Sequence, residues 1–178
     1  MTQAHPETPR EDSPFWRFSL RFYARAKVAA ACLVLQDEAG ADVNLLLFLL
    51  FLAEHQREVS ASELAELDGA VAVWRDQVVK PLRSLRRALK QGIGEISVTV
   101  SETFRGQIKR LELDSEHIEQ SVLEGFAAAK LGVGAVSRMT AAAANIAAYE
   151  AHLGSFPAEA KAIILAGFAE FGPHHPAN

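Results

Sequence analysis

Asp42-Val43-Asn44-Leu45-Leu46-Leu47-Phe48-Leu49-Leu50-Phe51-Leu52-Ala53-Glu54-His55 decides the fold. Leu45 to Ala53 are apolar without interruption. That run is far short of the roughly 20 residues a membrane-spanning helix needs. Asp42 is a good N-cap, so the segment reads as a helix from about Val43 to His55. A helix apolar nearly all round belongs at the centre of a fold.

The flanking sequence supplies its neighbours. Upstream, Ser13 is an N-cap with Pro14 at the first helical position, where the missing N–H costs nothing. Phe15, Phe18, Phe22 and Ala26 (or Ala29) then repeat at three and four, predicting one helix that ends in the turn Gln36-Asp37-Glu38-Ala39-Gly40. Downstream, Ser60-Ala61-Ser62-Glu63 is a capping box. It opens a helix marked by Leu64, Leu67, Val71, Trp74, Val78, Leu82, Leu85 and Leu89. Pro81 predicts a kink or break near Asp76–Lys80, because proline removes a hydrogen bond and clashes with the preceding turn. After the loop Gln91-Gly92-Ile93-Gly94, the alternation Ile96, Val98, Val100 suggests a short strand. Phe104, Ile108, Leu111, Ile118, Val122 and Phe126 continue at helical spacing, and a long helix over roughly 97–130 is the reading adopted.

Gly132 and Gly134 break the chain before an Ala-rich helix that Gly154 stops. Pro157 starts another, with Ile163, Ile164, Phe168 and Phe171 on its apolar side. The expected fold is all-α: an irregular or orthogonal bundle of four main helices plus a C-terminal helical pair. The expected organisation is a disordered leader over 1–12, a helical core over 13–130, the Ala-rich pair over 131–172 and a frayed tail over 173–178.

Composition excludes several classes. The net charge of −4 over 178 residues argues against a protein devoted to nucleic acid, without excluding a local basic patch. The single Cys32 rules out an intrachain disulfide and a cysteine zinc site, and suits a reducing cytoplasm. The polar start MTQAHPETPREDSP has no apolar core of a signal peptide.

A composite pattern in the first half points to a family. Phe15-Trp16, Ser19-Leu20, Tyr23, Ala31-Cys32-Leu33, Leu35-Gln36-Asp37, Gly40 and Asp42 to Leu47 read as FW..SL..Y.......ACL.LQD..G.DVNLLL. With Trp74-Arg75 and the stretch Pro81 to Arg87, this resembles a family of small proteobacterial proteins of unknown function. The resemblance covers about 14–90, plus Leu111–Glu119, and leaves the Ala-rich part as an extension. It implies no activity and no catalytic residues.

Two candidate sites stand out. Arg75, Lys80, Arg83, Arg86, Arg87 and Lys90 form a basic stretch against only Asp76, while acids gather at 54–68 and 112–124. Such a face suits an acidic protein partner, a phosphorylated ligand or RNA. The simpler alternative packs the basic helix beside the acidic one with charges paired at the edges, worth about 0–1 kcal/mol per surface pair. No aromatics interleave with the basic residues, so nucleic acid is disfavoured. The second candidate is a pocket between the first two helices, with Gln36, Asp37, Asp42 and Asn44 at its mouth and Trp16, Tyr23 and Trp74 as walls. Capping and turn formation account for Asp42 and Asp37 without a pocket and are the favoured reading; Asn44 is the least explained.

Other chemistry finds no support. None of the six histidines has a Glu three positions before it, so no bundle di-iron pattern and no metal site is expected. Cys32 sits mid-helix as a core thiol, and Gly132-Val133-Gly134 is a lone G-x-G between helices. No cofactor or catalytic residue is expected. The leading expectation is a non-catalytic interaction or regulatory protein, with a protein partner or homodimer, presenting the basic face. The alternative is a helical protein that binds a small molecule or acyl chain in the pocket; RNA binding ranks third.

Overall fold

The computed structural model describes residues 13–128 and 136–172. The expectations for the leader 1–12, for the Gly132–Gly134 break and for the tail 173–178 lie outside the described residues. The fold is all-α, with no strand among the described residues.

The central helix is α3 (Val43–Glu54), and Asn44 to Ala53 are all buried. The Asp42 carboxylate caps it, accepting from the Asn44 N–H at 2.8 Å and the Leu45 N–H at 3.3 Å. Helices α1 (Pro14–Tyr23), α2 (Val28–Ala39), α6 (Val98–Ala128) and α7 (Arg138–Leu153) surround it. Phe15 meets Phe48 edge-on at 5.0 Å, and Phe18 meets Phe51 at 5.6 Å. Each such side chain removed from water contributes about 1.5–3 kcal/mol.

The single helix expected over 13–36 is two helices. α1 opens as expected, with the Ser13 hydroxyl accepting from the Trp16 N–H at 2.9 Å. The chain then turns at Ala24–Lys27, where Lys27 takes a left-handed φ of 69°. The cause is a slip in apolar register. Phe15, Phe18 and Phe22 bury one stripe, and Val28, Ala31, Cys32 and Leu35 bury another. Phe22 and Val28 are six residues apart, about 240° around a helix, so one straight helix cannot bury both stripes. α2 also runs on to Ala39, past the expected turn at Gln36, and closes at Gly40 with φ 69°.

The capping box forms as predicted, with Ser60 and Glu63 satisfying one another's N–H groups at the start of α4 (Ala61–Trp74). The proline interruption falls where expected and takes the form of a π-helical turn over Arg75–Val79, leading into α5 (Lys80–Leu89). Lys80 N–H bonds back five residues to the Arg75 carbonyl. That wider turn makes room for the Pro81 ring, which would clash with the carbonyl of Gln77 in an α-helix.

α5 and α6 form a hairpin, and the buried Val79, Leu89 and Ile108 in this part of the chain lie outside the main core. At its tip Ile93 and Ile96 exchange two backbone hydrogen bonds of 3.0 Å, which is all that the apolar alternation there produces. The C-terminal pair α7 and α8 (Ala158–Glu170) shares the main core. The small face of α7, including fully buried Ala141 and Ala142, packs within the chain rather than lying open. Arg138 fastens the pair, donating to Glu54 and to the carbonyls of Phe168 and Phe171.

Candidate functional site: a cleft where the hairpin meets the core

Between the α5–α6 hairpin and the α1, α2 and α3 side of the core lies a cleft of about 720 Å³. That volume suits a small organic ligand. Its core-side wall is Trp16, Ser19, Leu20, Tyr23 and Ala24 of the α1 end, Leu33 and Gln36 of α2, and Val43, Asn44 and Leu47 of α3. The hairpin side is Arg83, Arg86 and Arg87 of α5, with Lys109, Arg110, Glu112, Leu113, Glu116 and Gln120 of α6. Parts of the two candidate sites of the sequence therefore meet in one place. Trp16, Tyr23, Gln36 and Asn44 face Arg83, Arg86 and Arg87 across the same opening.

The arginines are held from within. Arg83 donates to Glu112 at 3.1 Å and to Glu116 at 2.6 Å. Arg86 donates to both oxygens of Glu112. Burial works against the Arg83 charge, but Glu116 and Glu112 outweigh it and raise its pKa. Burial raises Glu116 despite Arg83 opposite. Arg87 reaches Asp37 at 2.9 Å, and its hydrogen bond, helped by Gln36, holds Asp37 below the usual carboxylate range. Lys80 pairs with Asp76 at 2.7 Å on the outer surface, and Lys90 is exposed at the end of α5. Lys109 and Arg110, at the cleft mouth, carry no ion pair among the described residues.

At the inner end of the cleft two polar side chains are incompletely satisfied. Ser19 and Gln120 are 3% and 4% exposed. The Gln120 amide donates to the Asn44 carbonyl oxygen at 2.9 Å. Its own Oε1 and the Ser19 hydroxyl find no hydrogen-bond partner. Groups of this kind cost about 1–3 kcal/mol when left so. Asn44, unexplained by the sequence, is thus tied to α6 through Gln120.

Asp42, Trp74 and Arg75 lie behind the cleft rather than in it. The Trp74 indole donates to the Ser115 carbonyl at 2.9 Å, fixing α4 on α6. Arg75 bridges Asp42 at 3.1 Å and Asp68 at 2.6 Å, and His152 lies 3.2 Å from Asp68. The Asp42 N–H donates to the Tyr149 hydroxyl at 2.8 Å, which joins α7 to this network. Glu119, 1% exposed, borders the network. Neither of its oxygens meets a donor in good geometry. Burial, reinforced by the Asp42 carboxylate, raises its pKa far above the usual range, so it is protonated at neutral pH.

The sequence reading missed the α6 wall. Lys109, Leu113, Glu116 and Gln120 recur at four, three and four, which is one helical row, and that spacing was the available signal. Among the described residues no group of three or more His, Cys, Asp or Glu side chains is placed to hold a metal ion. No helix there is long and apolar enough to cross a membrane.

These features define a helical bundle with a cleft at the root of a projecting hairpin. The chain belongs to the family described as protein of unknown function (DUF2390), which matches residues 14–123. Every residue lining the cleft falls within that match. Comparison with curated proteins finds no match, and comparison with solved structures finds none.

Proposed function

We propose that the protein binds a small amphipathic anion in this cleft, as a non-catalytic carrier or sensor in the cytoplasm. The observation that carries the reading is the unpartnered Ser19 hydroxyl and Gln120 Oε1, both buried on the wall of a largely apolar opening. A ligand offering a hydroxyl, amide or acid proton satisfies both groups. Its apolar body lies against Leu20, Leu33, Val43 and Leu47, and Lys109 and Arg110 attract its charge at the mouth.

The other reading, a basic face of Arg75, Lys80, Arg83, Arg86, Arg87 and Lys90 offered to an acidic protein, has less support. Arg83 and Arg86 would have to leave Glu112, a side chain only 7% exposed. Stranding such a partner is costly.

The test titrates two probes, 8-anilinonaphthalene-1-sulfonate and 12-hydroxydodecanoate, against the wild type and Val43→Trp, which narrows the cleft. One-to-one binding, mutual displacement and loss in the variant are expected. Failure of the wild type to bind either probe, or equal binding by the variant, would overturn the proposal.

A further inference from the structure

A second surface lies at the far end of the hairpin. Residues 93–100 are all exposed. Among them Ile93, Ile96, Val98 and Val100 are large apolar side chains, with Phe104 one turn further on; Val100 is 74% exposed and Phe104 51%. Val100, Phe104 and Leu111 share one side of α6, at 0°, 40° and 20° on a helical projection. Water is a poor solvent for such a group, and clusters of this kind mark contact surfaces.

The charge around the tip says what it contacts. Residues 86–110 hold six cations, Arg86, Arg87, Lys90, Arg105, Lys109 and Arg110, against Glu95 and Glu102. The segment is therefore +4 in a chain whose net charge is −4. Arg86 and Arg87 answer carboxylates on neighbouring elements, and Arg105 answers Glu102. Lys90, Lys109 and Arg110 answer none among the described residues. Lys109 and Arg110 stand nine and ten residues from Val100, about 14 Å up the helix axis at 1.5 Å per residue. An apolar tip with a collar of cations behind it matches the layering of a membrane surface, with acyl chains beneath anionic headgroups. A second copy of the chain fits less well, because pairing two tips would bring two positive collars together.

We infer that the tip of the α5–α6 hairpin docks on anionic lipid surfaces, inserting Ile93, Ile96, Val100 and Phe104 to the headgroup–acyl boundary while Lys90, Lys109 and Arg110 meet the headgroups. Lys109 and Arg110 also stand at the cleft mouth, but docking does not require the cleft to hold a ligand. Glu95 opposes docking.

The experiment is vesicle flotation of the full chain. Vesicles of phosphatidylcholine with about one-third phosphatidylglycerol bind the protein, and pure phosphatidylcholine vesicles bind it at least tenfold less. Raising NaCl from about 0.1 M to about 0.5 M weakens the binding. Phe104→Asp and Lys109→Glu each weaken it at least tenfold, with helix content unchanged by circular dichroism, and Glu95→Gln strengthens it. Absence of binding to the anionic vesicles overturns the inference, as does binding that Phe104→Asp leaves intact. Sedimentation showing a dimer that Phe104→Asp makes monomeric, with no vesicle binding, overturns it in favour of a self-interface.

Discussion

Replacing Glu119 by Gln stabilises the protein at neutral pH and removes part of its pH dependence. Glu119 is buried beside Asp42 and Asn44 on the core side of α6, and burial together with the Asp42 charge keeps it protonated in the fold. In the unfolded chain it ionises at the ordinary glutamate value, 4.5. The sign follows from proton counting. Below the unfolded pKa both states hold the proton, and stability is at its full value. Above it the unfolded state has released the proton and the native state has not, so folding takes one up. Stability then falls by about 1.4 kcal/mol per pH unit until the raised pKa is reached. From pH 5 to pH 7 that amounts to about 2.5 kcal/mol. Glutamine needs no proton and, like the protonated acid, carries no charge beside Asp42. The assay is urea denaturation of wild type and Glu119→Gln at half-unit steps from pH 5 to 8. The variant gains on the wild type by about 2.5 kcal/mol between pH 5 and 7, and Glu116, the histidines and other titrating groups cancel in the difference. Parallel stability curves would refute the reasoning, showing Glu119 ionised in the fold with Arg75 as its counter-charge.

Three further outcomes are expected. Asn145→Ala destabilises the fold by at least about 3 kcal/mol in chemical denaturation, because its side chain satisfies Val59 N–H at 2.8 Å and the carbonyls of Leu49 and Arg57 at 3.0 and 2.9 Å; a loss within error would show that α7 does not hold the α3–α4 turn. Gly167→Ala lowers the melting temperature although alanine favours helix by up to about 1 kcal/mol, since the new methyl meets Val28 Cγ2 at 2.8 Å in the packed α2–α8 contact; a higher melting temperature would mean the contact relaxes freely. Burial pushes the Cys32 thiol up to about 12, so a thiol reagent at pH 8 leaves the native protein unlabelled and reacts once denaturant is added; labelling of the native state at the rate of a free thiol would contradict that burial.

The sequence carried the helices well because their signals are local. The all-apolar run required a central helix, Ser13-Pro14 and Ser60–Glu63 are self-contained caps, and the period from Val100 to Phe126 outweighed the three-residue alternation before it. The break at Ala24–Lys27 was missed because Ala26 and Ala29 made the first stripe seem continuous. The six-residue step from Phe22 to Val28 held the contrary signal. The cleft was legible only in halves. Periodicity gives the face a residue occupies but not the helix that face meets, so Asn44 and Arg83 were found separately. Their meeting depends on Trp74 bonding to Ser115 and on Arg83 and Arg86 bonding to Glu112, contacts between residues 26 to 41 positions apart.

The π-helical turn at Arg75–Val79 fits one extra residue into a continuous rod, and an extra residue turns everything after it by about 100°. The rod thereby serves two clients. Its first half shows Leu64, Leu67 and Val71 to the core, while the half beyond aims Arg83, Arg86 and Arg87 into the cleft. Deleting a single residue from this turn would leave both halves helical and both surfaces chemically intact, but out of phase. The arginines would swing away from Glu112, and Pro81 would lose the widened turn that accommodates it. In this rod a count of residues, more than their identity, sets where the chemistry faces.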